Sequence, residues 1–403
     1  MATTLATPIF HAGRRGDKIR GDVWMGFLPA DSGGLLLDFT SKLESMYGQS
    51  TRDLLLTLCN EAGVEHGTLF VEDKGAYPFV LRARLESLLQ QVLDDSGLRL
   101  HHEAPLGDGL PPVEPKRMRR SRLYLPGNEA KYMLNAALHE PDGIILDLED
   151  SVAPAAKFDA RAMVRHALHC LDFGDCERMV RINQGEMGME DLAYLSDAPF
   201  HLVLIPKVET AEEVQALEPI VADRDLLFMP IIESAKGVMN ADAIAKASPR
   251  IVALTLGLED LTADLGVVKT PGGMETAFAC SWVIHAAKAN GLQAIDSVYG
   301  NIADEKGLRH SLREAKAKGF EGKGCVHPRQ IRVVHEEFAP SAAEIDRACK
   351  ITLAFEDAET KGLGVVSLGS KMIDPPVVKR ALTVVSSAIR AGLIEENWRT
   401  NIS

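Results

Sequence analysis

Cysteine is scarce in this chain: six in 403 residues, scattered, with no CxxC pair. That spacing indicates neither a zinc site nor a disulfide framework, so a reducing, cytoplasmic setting is the expectation. No run approaches the about 18 consecutive apolar residues of a membrane span. The opening MATTLATPIFHAGRRGDK lacks the charged-then-apolar layout of an export signal. Positive charge is in deficit, with 44 Lys and Arg against 57 Asp and Glu and a net charge of -13, which argues against a general nucleic-acid partner. Neither GxGxxG nor GxxxxGK(S/T) occurs, so a doubly wound sheet with a glycine-rich phosphate loop loses its main support. What remains is an ordinary globular composition in a chain too long for one small core. Two or three domains, or a large barrel with an appendage, are implied.

Residues 103–115, EAPLGDGLPPVEP, carry Pro and Gly without an apolar period and read as an interdomain linker within 101–117. A module spanning 1–100 precedes it. After it, strand-like runs alternate with helical stretches such as AKYMLNAALHE, TAEEVQALEPIVA and GLRHSLREAKAKG. The runs are 123–125, 143–148, 179–182, 201–206, 226–232, 251–257, 292–296 and 322–328. Eight such units predict an α/β fold, a closed (β/α)8 barrel over 118–340, with 341–403 as a C-terminal helical extension. The front module reads as a small α+β domain.

The C-terminal ends of barrel strands are where chemistry collects. Here those ends hold Asn128, Glu149-Asp150, Arg181, Lys207 and Glu209, Glu233, Glu259-Asp260, Asp296 and His327. In particular, the buried run GIILDL ends in Asp147, Glu149 and Asp150, which is unusual unless negative charge is used there. Glu233 and Asp260 end consecutive strands, roughly 4.8 Å apart, and two carboxylates there can reach one cation. Oxygen ligands with retained waters suit Mg²⁺; a salt-bridged pair without metal is the alternative. Glu149 and Asp150 lie across the rim, placed to hold metal-bound waters, or, for Asp150, to cap the helix after Pro154. Arg181 sits within a strand and needs an anionic partner, either Glu149 or a substrate oxyanion. The run KRMRRSR (116–122) is linker solvation or, through Arg120's long stem, a phosphate clamp, although it enters the first barrel strand at the end opposite the rim. Asp374 precedes two prolines and, on its own, reads as an ordinary turn residue.

RRSRLYLPGN, IILDLEDSVAPAAKFDAR, VRIN, IPKVET, IIESAKGV, LGLEDL, AIDSVYGN and CVHPRQI follow in register with the eight strands. This set resembles the β subunit of citrate lyase and its malyl-, citramalyl- and citryl-thioester lyase relatives, and GLGVVSLGSKMIDPPVV extends the likeness to the tail. The resemblance implies a Mg²⁺-dependent lyase that cleaves a 3-hydroxy acyl thioester to a 2-oxo acid and an acetyl thioester. It implies Glu233 and Asp260 as metal ligands and Arg181 facing the thioester or substrate carboxylate. It also makes Asp374 an acid/base in a neighbouring subunit's site, and hence the chain a homo-oligomer, a trimer or a multiple of one. Residues 29–92 resemble the acyl carrier subunit of citrate lyase. Yet the serine that bears the family's prosthetic group has no counterpart: RRGDK and IRGDV put Arg15 or Arg20 there, and no serine occurs before Ser32. Three functions stay open: a lyase on a free CoA thioester, a thioester hydrolase on the same barrel, and a non-catalytic subunit docking a partner carrier.

Overall fold

The computed structural model describes residues 9–102, 110, 112–360, 366–368 and 371–401. Four strands precede the linker: β1 Phe10–Ala12, β2 Val23–Pro29, β3 Leu35–Ser41 and β4 Gly67–Asp73. Their order in the sheet is β1-β2-β4-β3; β4 pairs antiparallel with β2 and parallel with β3. The parallel pair needs a crossover, and the helix Glu44–Glu61 supplies it. A second helix, Pro78–Val92, starts with Pro at its first position, where the missing N–H is no loss. It is buried almost all round (Val80, Leu81, Leu85, Leu88 and Leu89 among others) because the sheet covers one side and the barrel helix Lys157–Cys170 the other. One apolar cluster therefore runs from the front sheet into the helical shell of the barrel.

Buried polar groups bind the two units as well. Glu86 accepts from Leu100 N (2.7 Å), Arg165 Nη1 (3.1 Å), His166 Nε2 (3.1 Å) and the Tyr194 hydroxyl. Those donors outweigh the penalty of burial and hold its carboxyl below the usual range. Arg84 is bidentate on Asp22 (3.0 and 3.0 Å) and reaches Asp159 (3.3 Å) on the barrel. Arg14 pairs with Glu129, in the loop after the first barrel strand. The front module is thus packed against the barrel rather than tethered beside it.

The barrel strands are β5 Ser121–Pro126, β6 Gly143–Asp147, β7 Glu177–Arg181, β8 Leu202–Ile205, β9 Leu227–Ile232, β10 Ala253–Leu256, β11 Gln293–Asp296 and β12 Gly322–Cys325. They pair in parallel and close, β12 on β5 and β9 on β10. Each falls on one of the eight runs expected from sequence. Alternate residues fill the lumen, including Ile145, Met179, Leu204, Met229 and Ile295, while the others face the helices. Two expected helices are shorter than their apolar pattern. The segment after Thr210 is helical over Ala211–Gln215 and then tightens to a 3-10 turn at Glu218–Val221, where Pro219 cannot donate. The segment after Asn128 ends at Glu140, whose φ of 51° is left-handed.

In the tail, helices Ala342–Thr360 and Pro375–Arg390 pack on each other around their own cluster, with Ile351, Val378, Ala381 and Trp398. Arg390 Nη1 donates to Lys116 O (3.0 Å), linking the tail to the linker's end. Among the described residues all six cysteines are buried and none is in a disulfide, and no helix is long and apolar enough to cross a membrane.

Candidate active site

The end of β6 is organised around Asp147, which is fully buried. Its carboxylate accepts from Glu149 N (2.9 Å) and Ser151 N (3.1 Å), which folds the LEDS segment back over the strand end. It also takes both arms of Arg181 from the end of β7, Nε at 2.6 Å and Nη2 at 2.7 Å. Arg181 Nη1 lies 3.0 Å from Glu149, and the guanidinium faces the ring of Tyr124 at 5.2 Å. Burial works against the charge on Arg181, but Asp147 and Glu149 outweigh it and drive its pKa up. Arg181 is therefore a fixed cation at every working pH. Of the two partners weighed from sequence, Glu149 is one, and Asp147, which was not weighed, is the stronger. Its fork-to-fork geometry fixes the plane of the guanidinium while leaving N–H groups on Nη1 and Nη2 to spare.

Glu233 follows β9 and is 5% exposed. Its Oε1 accepts from Lys207 N (2.8 Å), and no cation pairs with it among the described residues. Burial, with Asp260 and Glu149 nearby, pushes its pKa up to about 8 despite that N–H. A Cβ on Gly257 would stand 2.3 Å from Glu233 Oε2, so glycine is what lets this carboxylate occupy the space over β10. Lys207 adopts φ 50°, uncommon without a glycine, and the turn it makes serves two ends. It aims the amide at Glu233 and places the amine 3.2 Å from Glu149, 3.5 Å from Asp150 and 3.8 Å from Asp260. Asp260 lies in the first turn of the helix Leu258–Asp264, half-exposed.

Asp150 caps no helix: the helix Lys157–Cys170 has no side-chain cap, and Asp150 instead points to Lys207 and, at 4.0 Å, Arg181. Arg120 does not reach the rim. It lies just before β5 at the barrel's N-terminal end, bidentate on Asp142 at 2.8 and 2.9 Å, so the phosphate-clamp reading is corrected to a structural ion pair. Asp374 accepts from Val377 N (3.1 Å) as the cap of its helix, is exposed, and among the described residues touches no rim residue of its own chain. His327 is half-buried, and its Nδ1 accepts from Arg329 N (3.1 Å). Asp296 is taken by a buried ion pair with Lys323.

Two cavities meet at Glu233 and Asp260. One, of about 1000 Å³, spreads over the ends of β7 to β9 beside Asn183, Lys207 and Glu209. The other, of about 320 Å³, descends into the barrel mouth past Arg181 and Tyr124 to Arg122. Sequence reasoning missed the parts played by Lys207, Asp147 and Arg122. The IPKVET and ILDLED motifs signalled the first two, whereas nothing local marked Arg122.

Residues 120–328 match the family model HpcH/HpaI aldolase/citrate lyase, just over half of the chain. The chain belongs to the HpcH/HpaI aldolase/citrate lyase family. Residues 18–92 match a second model, described as ACP, malonate decarboxylase delta subunit (MdcD), in keeping with a carrier-like front module. Citrate lyase subunit beta of Leuconostoc mesenteroides subsp. cremoris is 37% identical over 70% of this chain and 96% of that subunit. (3S)-malyl-CoA thioesterase of Cereibacter sphaeroides is 37% identical over 63% of this chain and 89% of that enzyme. Among solved structures, protein CitE from Mycobacterium tuberculosis, in complex with magnesium, acetoacetate and coenzyme A, superposes with a TM-score of 0.57. The two are 32% identical over 68% of this chain and 98% of that one. This is an enzyme barrel of the aldolase/citrate lyase kind, and the acids and cations described above lie at the C-terminal ends of its strands.

Proposed function

We propose that the chain is a Mg²⁺-dependent lyase that cleaves a 3-hydroxy acyl thioester of the citryl-, citramalyl- or malyl-CoA type. The observation that carries this is Glu233: a buried carboxylate with acids around it and no cation of its own, one cavity wall away from a locked guanidinium. Among the described residues no group of three or more His, Cys, Asp or Glu forms a closed ligand set. Glu233 and Asp260 alone would hold the ion, a number that suits a metal keeping several waters, with Glu149 and Asp150 positioned for those waters. Bound Mg²⁺ would supply Lewis acidity that makes the substrate hydroxyl easier to ionise.

The chain's own residues do the rest. A base takes the hydroxyl proton, the C–O bond becomes the carbonyl of the 2-oxo acid, and the C2–C3 bond electrons pass to the acetyl thioester as its enolate. A proton returned to that carbon completes the acetyl thioester. Arg181, held flat by Asp147 and Glu149, offers its spare N–H groups to the enolate oxygen. The base and later acid is Asp374 of a neighbouring subunit, since among the described residues no rim residue of its own chain contacts it. Asp150, half-exposed at the rim, is the in-chain group nearest that role. A thioester hydrolase, with water attacking the carbonyl instead, is the second reading, supported by the likeness to a malyl-CoA thioesterase. Incubating the purified protein with each CoA thioester and identifying products by mass separates the two. The lyase yields 2-oxo acid and acetyl-CoA, the hydrolase a free 3-hydroxy acid and CoA. EDTA is expected to abolish either activity and excess Mg²⁺ to restore it; full activity after complete chelation rules the metal out.

The subunit arrangement is testable separately. Asp374→Asn and Arg181→Ala protomers, each inactive alone, are expected to regain activity when mixed and allowed to exchange, because hybrid sites combine one intact residue from each. Verified exchange without recovery means that Asp374 acts in its own chain or not at all. A trimer, or a multiple of one, is the assembly proposed.

The front module is proposed to carry no thiol-bearing arm. Arg15, one of the two candidates for the place of the missing serine, stacks on Trp24 (3.6 Å) and pairs with Glu72 (2.6 Å). Arg20 is exposed. A guanidinium supplies no hydroxyl for a phosphodiester. Intact-mass analysis of protein from its native host is expected to show the bare chain; a phosphopantetheine-sized addition within residues 1–100 refutes this.

A further inference from the structure

Among the described residues three arginines are fully buried: Arg84, Arg119 and Arg122. Two are neutralised. Arg84 is bidentate on Asp22, and Arg119 is bidentate on Glu177 at 2.7 and 2.7 Å. Arg122 is not. It stands on β5 two residues before Tyr124, on the face turned into the lumen, among the apolar side chains Ile145, Met229 and Ile231. Its Nη1 donates to Met229 Sδ (3.0 Å) and Thr255 Oγ1 (3.0 Å), both neutral and one a weak acceptor. Nε and Nη2 have no partner, and among the described residues no carboxylate pairs with it. The nearby Glu177 is already spent on Arg119. A guanidinium left this way is expensive to bury, enough that burial pulls even its pKa below the ordinary value.

Its position gives that expense a purpose. Arg122 forms the floor of the 320 Å³ pocket whose mouth holds Glu233, Asp260 and Arg181. The pocket leaves room below its mouth, past Tyr124, for a further branch on the reacting carbon of a ligand held there. We infer that Arg122 binds a second carboxylate on that branch, so that the site selects thioesters whose 2-oxo acid half is a dicarboxylate over those ending in methyl or hydrogen. The inference rests on the lyase reading for the identity of the ligand, but not for the presence of an anion subsite. A site with buried donors rejects a ligand that leaves them unpaired far more sharply than an apolar pocket rejects a small change in size.

Calorimetric titration of the full chain with oxaloacetate and with pyruvate, in Mg²⁺, tests this without turnover. Oxaloacetate is expected to bind about 100-fold more tightly or better, and Arg122→Met to bring the two affinities within about tenfold. A ratio unchanged by the substitution overturns the inference. The ligand-free Arg122→Met protein is expected to melt at a higher temperature, since a charge without a partner is replaced by a side chain of similar length in an apolar lumen; a lower melting temperature counts against it. Arg122→Lys serves as a second variant, retaining the charge without the fork. If neither 2-oxo acid binds the wild type, the lyase reading fails, and acetate decides the subsite alone. Acetate raising the melting temperature of the wild type but not of Arg122→Met sustains the anion site, and equal responses overturn it.

Discussion

Arg181→Ala is expected to lower kcat by about 100- to 1,000-fold, the usual effect of removing one donor to a developing oxyanion. It should also weaken the fold, and the two losses have separate causes. The catalytic one is the missing N–H groups at the enolate. The structural one is Asp147, which is fully buried and loses both bonds to Arg181, at 2.6 and 2.7 Å. Stripping the partner from a buried carboxylate costs about 3–5 kcal/mol. Burial raises the Asp147 carboxyl, and Arg181 more than reverses this, so its folded pKa lies below the ordinary 3.8. A depressed carboxyl stabilises the fold above its unfolded value and loses that contribution as the pH falls through the folded one. The variant's melting-temperature deficit is therefore widest near neutrality and shrinks in acid, where Asp147 takes a proton. Arg181→Lys keeps the charge without the fork and should fall between. Full activity in a destabilised Arg181→Ala protein would leave the residue a purely structural role.

Glu233→Gln is expected to cut Mg²⁺-dependent turnover by at least about 100-fold, through loss of several kcal/mol of Lewis-acid stabilisation. It also erases a pH dependence. In the metal-free protein the Glu233 carboxyl is pushed from 4.5 up to about 8, first by burial and then by Asp260 and Glu149. A raised carboxyl favours its neutral form in the fold. Its contribution is fully present below the ordinary value and disappears as the pH climbs from about 4.5 through 8. Cation binding requires the ionised form, so Mg²⁺ affinity rises across the same interval, with a proton released, and levels off above it. Glutamine stays neutral throughout, so the metal-free variant should lose this fall in stability. Melting curves in EDTA, together with Mg²⁺ titrations in buffers of different ionisation enthalpy, measure both effects. A Mg²⁺ affinity that is flat between about pH 6 and 8, with no proton released, would contradict the assignment of Glu233.

The amino-acid sequence by itself determined the barrel and the composition of its rim. Parallel strands covered on both faces read as short apolar runs, and the polar residues that end those runs fall at one end of a barrel by topology alone. That is enough to place Glu149, Arg181, Glu233 and Asp260 at the rim. It left open whether Arg120 reaches the rim and said nothing of Arg122, because side chains on a strand change faces at every residue. The pleat turns Arg122 into the lumen, while Arg120, just outside the strand, pairs with Asp142 at the opposite end from the rim. Nothing in RRSRLYL says which arginine goes where. The left-handed turn at Lys207, the clearance that Gly257 leaves for Glu233, and the absence of any rim partner for Asp374 within its own chain are likewise settled only by packing. Each depends on a neighbour dozens of residues away, and only tertiary structure decides distances of that kind.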